Sequence, residues 1–154
     1  MQEDLSRILS EHPFVNGLDP DQVKFLTGCA ANSKFLPGEY LFREGGAAKL
    51  LYLVRDGEVA VQVYSPGQGA TSLSTVGSGE IVGWSWVVEP YVAHFDVVAQ
   101  TVTRAISIDA ECLRNKCQND PLLGYQMLAR MVKVMEQRLQ STRLQLLDVY
   151  GRSH

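Results

Sequence analysis

Two tryptophans, a histidine and an aspartate crowd one stretch of the chain, GEIVGWSWVVEPYVAHFDVVAQ, from Gly79 to Gln100. Strand-forming residues lead into Gly83, the chain turns through Trp84, Ser85 and Trp86, and a second strand begins at Phe95 and Asp96. Such a segment suits a loop wrapped around a small anion, whose charge calls for hydrogen-bond donors and a cation. No lysine or arginine stands between Arg55 and Arg104. His94 substitutes only when protonated, and an imidazole with a reference pKa of about 6.5 is mostly neutral at pH 7. The expectation is a cradle without its cation. Trp84 and Trp86, each able to bury roughly 150–250 Å², then fill the space themselves rather than clamp a planar ligand. His94 and Asp96 share a face if extended, which predicts a local hydrogen bond between them rather than a metal site or an acid–base pair.

Other chemistry is poorly represented. There is no P-loop, dinucleotide fingerprint or nucleophile elbow. The three histidines, His12, His94 and His154, never form an HxH. A metal-dependent jelly-roll enzyme of the cupin kind, which gathers about three histidines and a carboxylate, is therefore only a runner-up, and neither a catalytic residue nor a metal ligand is assigned. Cys29, Cys112 and Cys117 are odd in number and lack CxxC spacing, so free thiols in a cytoplasmic protein are expected. Cys112 and Cys117, five apart on a helix, face different ways and should not bridge. Arg114 and Lys116 beside Cys117 keep a redox role open.

The elements that must position these residues are legible in outline. Residues 154 in number, 45% hydrophobic, suggest one domain, 1–154. A net charge of −3 argues against an electrostatic nucleic-acid binder. The charged opening MQEDLSRILSEH is unlike a signal peptide, and no apolar run approaches the roughly 20 residues of a membrane span. Over 1–32 two helices are predicted, one at 2–11 ended by His12-Pro13 and one at Pro20–Ala30 capped by Asp19. Over 33–108 come short strands separated by glycine turns, SKFL, YLFR, LLYLVR, EVAVQVY, TSLSTV, DVVAQT and RAISID, with Asp56-Gly57 reading as a hairpin turn. Over 109–150 a short helix, AECLRNKC, precedes a long one from Pro121 to Asp148. The fold class is α+β, an antiparallel jelly roll with N-terminal helices and a long C-terminal helix. On that helix Leu128, Met131, Met135, Thr142 and Leu146 form an apolar stripe suited to a homodimer.

HPFVNGL at 12–18, PGEYLFREGG at 37–46, LYLVRDGEVAV at 51–61, GSGEIVG at 77–83 and the helix ending LLDVYGR together resemble the cyclic-nucleotide-binding-domain family of the catabolite activator and fumarate–nitrate regulator proteins. The resemblance covers almost the whole chain. It implies a phosphate-binding cassette opened by Gly83 and a dimer built on the long helix. It also implies a glutamate for the ribose where this chain has Trp84, and an arginine for the phosphate where it has His94, followed by Phe95 and Asp96. The long helix is not followed by a helix-turn-helix before His154, so direct nucleic-acid contact is not expected. The expected function is a dimeric regulatory or sensor module with a degenerate cassette, cytoplasmic, acting through a protein partner. No cofactor is assigned, and a small-molecule ligand such as a cyclic nucleotide is the less favoured reading; a genuine cAMP or cGMP receptor with non-standard contacts is the alternative.

Overall fold

The computed structural model describes residues 2–152, and the chain divides into two compact units, 1–116 and 117–154. In the first, α1 (Gln2–Glu11) and α2 (Pro20–Thr27) precede the strands. A capping box starts α2: Gln22 N donates to Asp19 Oδ1 at 2.8 Å and Asp19 N to Gln22 Oε1 at 3.1 Å. The helix stops at Thr27, short of the expected Ala30, because the chain leaves it to join a sheet. Asp109 N donates to Cys29 O at 2.9 Å, and Ala30 pairs with Ile108.

His12 lies between the two helices and is buried. Its Nε2–H donates to Val54 O at 2.9 Å, and its Nδ1 accepts from Phe14 N at 3.1 Å. Both ring nitrogens are used by a neutral imidazole. Burial pushes its pKa below the ordinary value, against the opposing pull of the Val54 hydrogen bond.

Eight strands follow: β1 (Ala30–Phe35), β2 (Tyr40–Phe42), β3 (Leu50–Asp56), β4 (Glu58–Ser65), β5 (Gly69–Gly77), β6 (Ile81–Val82), β7 (Asp96–Ala99) and β8 (Thr103–Asp109). They form two four-stranded antiparallel sheets, β1-β8-β3-β6 and β2-β7-β4-β5, the jelly roll expected. Leu41, Phe42, Tyr52, Val54, Val59 and Val97 belong to one buried apolar cluster. Phe35 and Phe42 both meet Tyr52 edge-on, at centroid distances of 5.4 Å. Leu51 and Leu53, on the alternate face of β3, are also fully buried. A strand covered on both sides explains the unbroken run LLYLV.

The Asp56-Gly57 turn is not a hairpin. Both edges of β3 are taken by β8 and β6, so β4 passes to the other sheet and the turn is a corner between sheets. Gly57 has φ +95°, and a Cβ there would come within 2.4 Å of Val102 O. The paired hairpin is β4–β5, joined at Ser65 and Gly69.

The cysteine reading also changes. Cys29 and Cys112 form a disulfide, with Cα atoms 5.6 Å apart and a sequence separation of 83. Pairing of β1 with β8 carries the end of β8, and with it the start of α3 (Ala110–Asn119), to Cys29. Cys117 is free and half-buried. Burial pushes its thiol pKa up, and the Asp120 carboxylate adds to that.

In the second unit α4 runs from Pro121 to Arg152, 32 residues, or about 48 Å at the α-helical rise. Tyr125, Leu128, Val132, Met135 and Leu139 follow one another at alternating steps of three and four, and all are exposed. Thr142 continues the line and is exposed. Met131, expected on this stripe, lies off it and is buried at 2% exposure. The side chain of Leu146, and His154, lie outside the described residues.

Candidate functional site

The cassette starts where β6 ends. Gly83 has φ +104°, and a Cβ on it would lie 2.6 Å from Phe42 Cζ and 3.1 Å from Leu50 O. Both the hand of the backbone and the space demand glycine. It caps a single 3-10 turn, Trp84–Val87. Tyr91 N then donates to Val88 O at 2.8 Å, turning the chain back through a cis Glu89-Pro90 bond.

The returning arm is tied to the loop between β2 and β3 by its backbone. Ala48 N donates to Tyr91 O at 2.8 Å, Gly45 N to Ala93 O at 2.9 Å, and Ala93 N to Gly46 O at 2.9 Å. These bonds join the end of PGEYLFREGG to the cassette although the two lie apart in sequence.

The two tryptophans part company. Trp86 is buried at 1% exposure. Trp84 is half-buried and stacks on the exposed His94, with ring centroids 5.4 Å apart and planes at 18°. Ser85 is buried, and Phe95 is half-buried. Asp96 turns toward the end of β2 rather than to His94: its Oδ1 accepts from Glu44 N at 2.7 Å and stands 3.8 Å from Arg43 Nε. The expected local His94–Asp96 hydrogen bond gives way to these two separate engagements. Asp96 thus has its charge met at the strand edge. Among the described residues no cluster of three or more potential metal ligands occurs.

A cation does reach the cassette, from a place the local sequence does not reveal. Arg114 on α3 donates from Nη1 to Trp86 O at 2.7 Å, and its guanidinium lies 3.9 Å from the centre of the Tyr91 ring. Tyr91 is a platform for this arginine, held at φ +59°. The only sequence signal was the basic character of LRNK, which pointed to Cys117 instead.

Comparison with known proteins agrees with this architecture. The cyclic nucleotide-binding domain model matches residues 33–120. The CRP-like cAMP-activated global transcriptional regulator of Mycobacterium tuberculosis is 25% identical over 145 residues, 94% of this chain and 63% of its own length. The chain thus spans less than two thirds of the curated relatives it matches. A cyclic nucleotide-binding domain from Methylobacillus flagellatus superposes with a TM-score of 0.78 at 22% identity, over 96% of this chain and 83% of its own. The regulatory subunit of a cAMP-independent protein kinase A from Trypanosoma brucei, solved in substituted form with cAMP in its A site, gives 0.64 at 24% identity, over 81% and 50%. The Mycobacterium relative is named as a transcriptional regulator and the Trypanosoma protein as a regulatory subunit, and no helix among the described residues is long and apolar enough to cross a membrane. Jelly roll, glycine-led 3-10 turn and family match coincide over the same residues, and the chain belongs to the cyclic nucleotide-binding domain family.

Proposed function

We propose that this domain is a dimeric regulatory module whose cassette no longer holds a cyclic nucleotide and whose output passes to a protein partner. The observation that carries the reading is the Trp84–His94 stack. These are the two positions that the family resemblance assigns to ribose and phosphate contacts, and here they engage each other. A cyclic phosphate would meet a half-buried indole and an imidazole in place of a carboxylate and a guanidinium. Loss of a charge-assisted bidentate partner weakens binding by orders of magnitude. Arg114 does not replace it, since its guanidinium is occupied by Trp86 O and the Tyr91 ring. That the Trypanosoma regulatory subunit is described as cAMP-independent supports a family member working without the nucleotide.

Dimerisation is supported by the exposed heptad-spaced line Tyr125, Leu128, Val132, Met135 and Leu139. A cytoplasmic setting is part of the proposal, and there the Cys29–Cys112 bond would meet reducing thiols.

Isothermal calorimetry at pH 7 with cAMP and with cGMP tests the cassette. Dissociation constants no better than about millimolar are expected. Micromolar binding of either would overturn the reading in favour of a genuine cyclic nucleotide receptor.

A further inference from the structure

Helix α3 bridges two parts of the first unit. On one side Cys112 is bonded to Cys29, just past the end of α2, and Lys116 Nζ sits 3.8 Å from the centre of the Phe25 ring on α2. On the other side Arg114, two residues after the disulfide, grips the Trp86 carbonyl and covers Tyr91. The disulfide is therefore coupled to the cassette through less than one turn of helix.

We propose that the Cys29–Cys112 disulfide is a redox control on the cassette. Closed, it holds the first turn of α3 and seats Arg114 on Trp86 and Tyr91; opened, it lifts that constraint and loosens the arginine's hold. The fold survives the opening, because β1 and β8 remain paired from Ala30–Ile108 to Phe35–Thr103 and Asp109 N keeps its bond to Cys29 O. Helix α3 itself stays docked, through the buried Ala110 and Leu113, the Ala110 N bond to Lys49 O and the Lys116–Phe25 contact, so what the open bond loosens is the seat of Arg114.

The chemistry is thiol–disulfide exchange with a dithiol reductant. Cys29 is 8% exposed and Cys112 more open, so the reductant's thiolate attacks the Cys112 sulfur. The Sγ–Sγ bond breaks, Cys29 leaves as a thiolate and takes up a proton. The second thiol of the reductant then displaces Cys112 from the mixed disulfide. Two cysteine thiols form, two electrons pass to the protein, and the reductant ends as its own disulfide. Cys117 takes no part: its raised pKa leaves little thiolate at neutral pH. The proposal holds whether or not the cassette accepts a nucleotide.

The chain's two tryptophans both lie in the cassette, so acrylamide quenching of their emission reads it directly. Thiol titration of the air-oxidised protein should find one free cysteine, rising to three with dithiothreitol. Over the same step the quenching constant should rise about twofold, as for local opening, while the far-UV circular dichroism holds. Cys112→Ser should show the higher quenching without reductant and ignore dithiothreitol. Arg114→Met should raise quenching in the oxidised protein and abolish the response to reduction. The proposal is overturned by three free thiols in the oxidised protein, or by equal quenching in oxidised, reduced and Cys112→Ser protein. It is equally overturned by collapse of the far-UV signal on reduction, which would make the bond a structural staple.

Discussion

The indole of Trp84 lies flat against the imidazole of His94, at the mouth of a turn whose other tryptophan, Trp86, is sealed inside. The two aromatic residues of GWSW therefore carry different loads. Trp86→Ala empties a fully buried site and should cost about 3–5 kcal/mol, the usual range for a buried aromatic. Trp84→Ala removes one face of a half-exposed stack and should cost about 1 kcal/mol or less. Urea unfolding of the two variants decides it, and equal losses would mean that both side chains plug the fold.

The line Tyr125, Leu128, Val132, Met135 and Leu139 leaves a seam of apolar surface along α4. Met135→Glu places a charge in the middle of that seam, which a packed interface tolerates badly without a partner. Wild type should sediment as a dimer at about tens of micromolar and the variant as a monomer with an unchanged melting profile at low concentration. A monomeric wild type would remove the dimer from the proposed function.

His12 couples folding to pH. Its folded pKa lies below the usual value of about 6.5, so the unfolded chain takes up the proton first as pH falls. The His12 contribution is level above about pH 6.5 and declines from there down to the folded pKa. His12→Gln can still donate to the Val54 carbonyl but cannot titrate. The difference in stability between wild type and this variant should shrink as pH is lowered from 7 toward 5, as read by thermal melts across the range. A difference that stays constant would show that the imidazole is not carried neutral.

What was legible in the sequence was local. The Asp19-Pro20 cap, the glycine turns and the alternation of EVAVQVY each act over a few residues, and each sits where it was expected. The absence of a cation between Arg55 and Arg104 was likewise plain from the string alone. What escaped was long-range. Asp56-Gly57 has the composition of a hairpin turn, but strand pairing elsewhere on β3 decides that the chain changes sheets there. Arg114 comes to Trp86 across 28 residues, and Cys29 to Cys112 across 83. The first follows from β3 lying between β8 and β6, and the second from β8 pairing with β1; no periodicity announces either. Met131 was misassigned because a stripe read at three- and four-residue steps has two neighbouring solutions on one helix, and only exposure separates them.

Gly83 meets Phe42 and the Leu50 carbonyl, both parts of the barrel wall, so the requirement for glycine comes from packing and backbone hand alone. The shape of the cassette is thus enforced by the scaffold, without help from anything it might hold. Side chains at positions 84 and 94 can then change at the modest cost of the Trp84–His94 stack, and what the loop recognises is set apart from what holds the glycine-led turn in place.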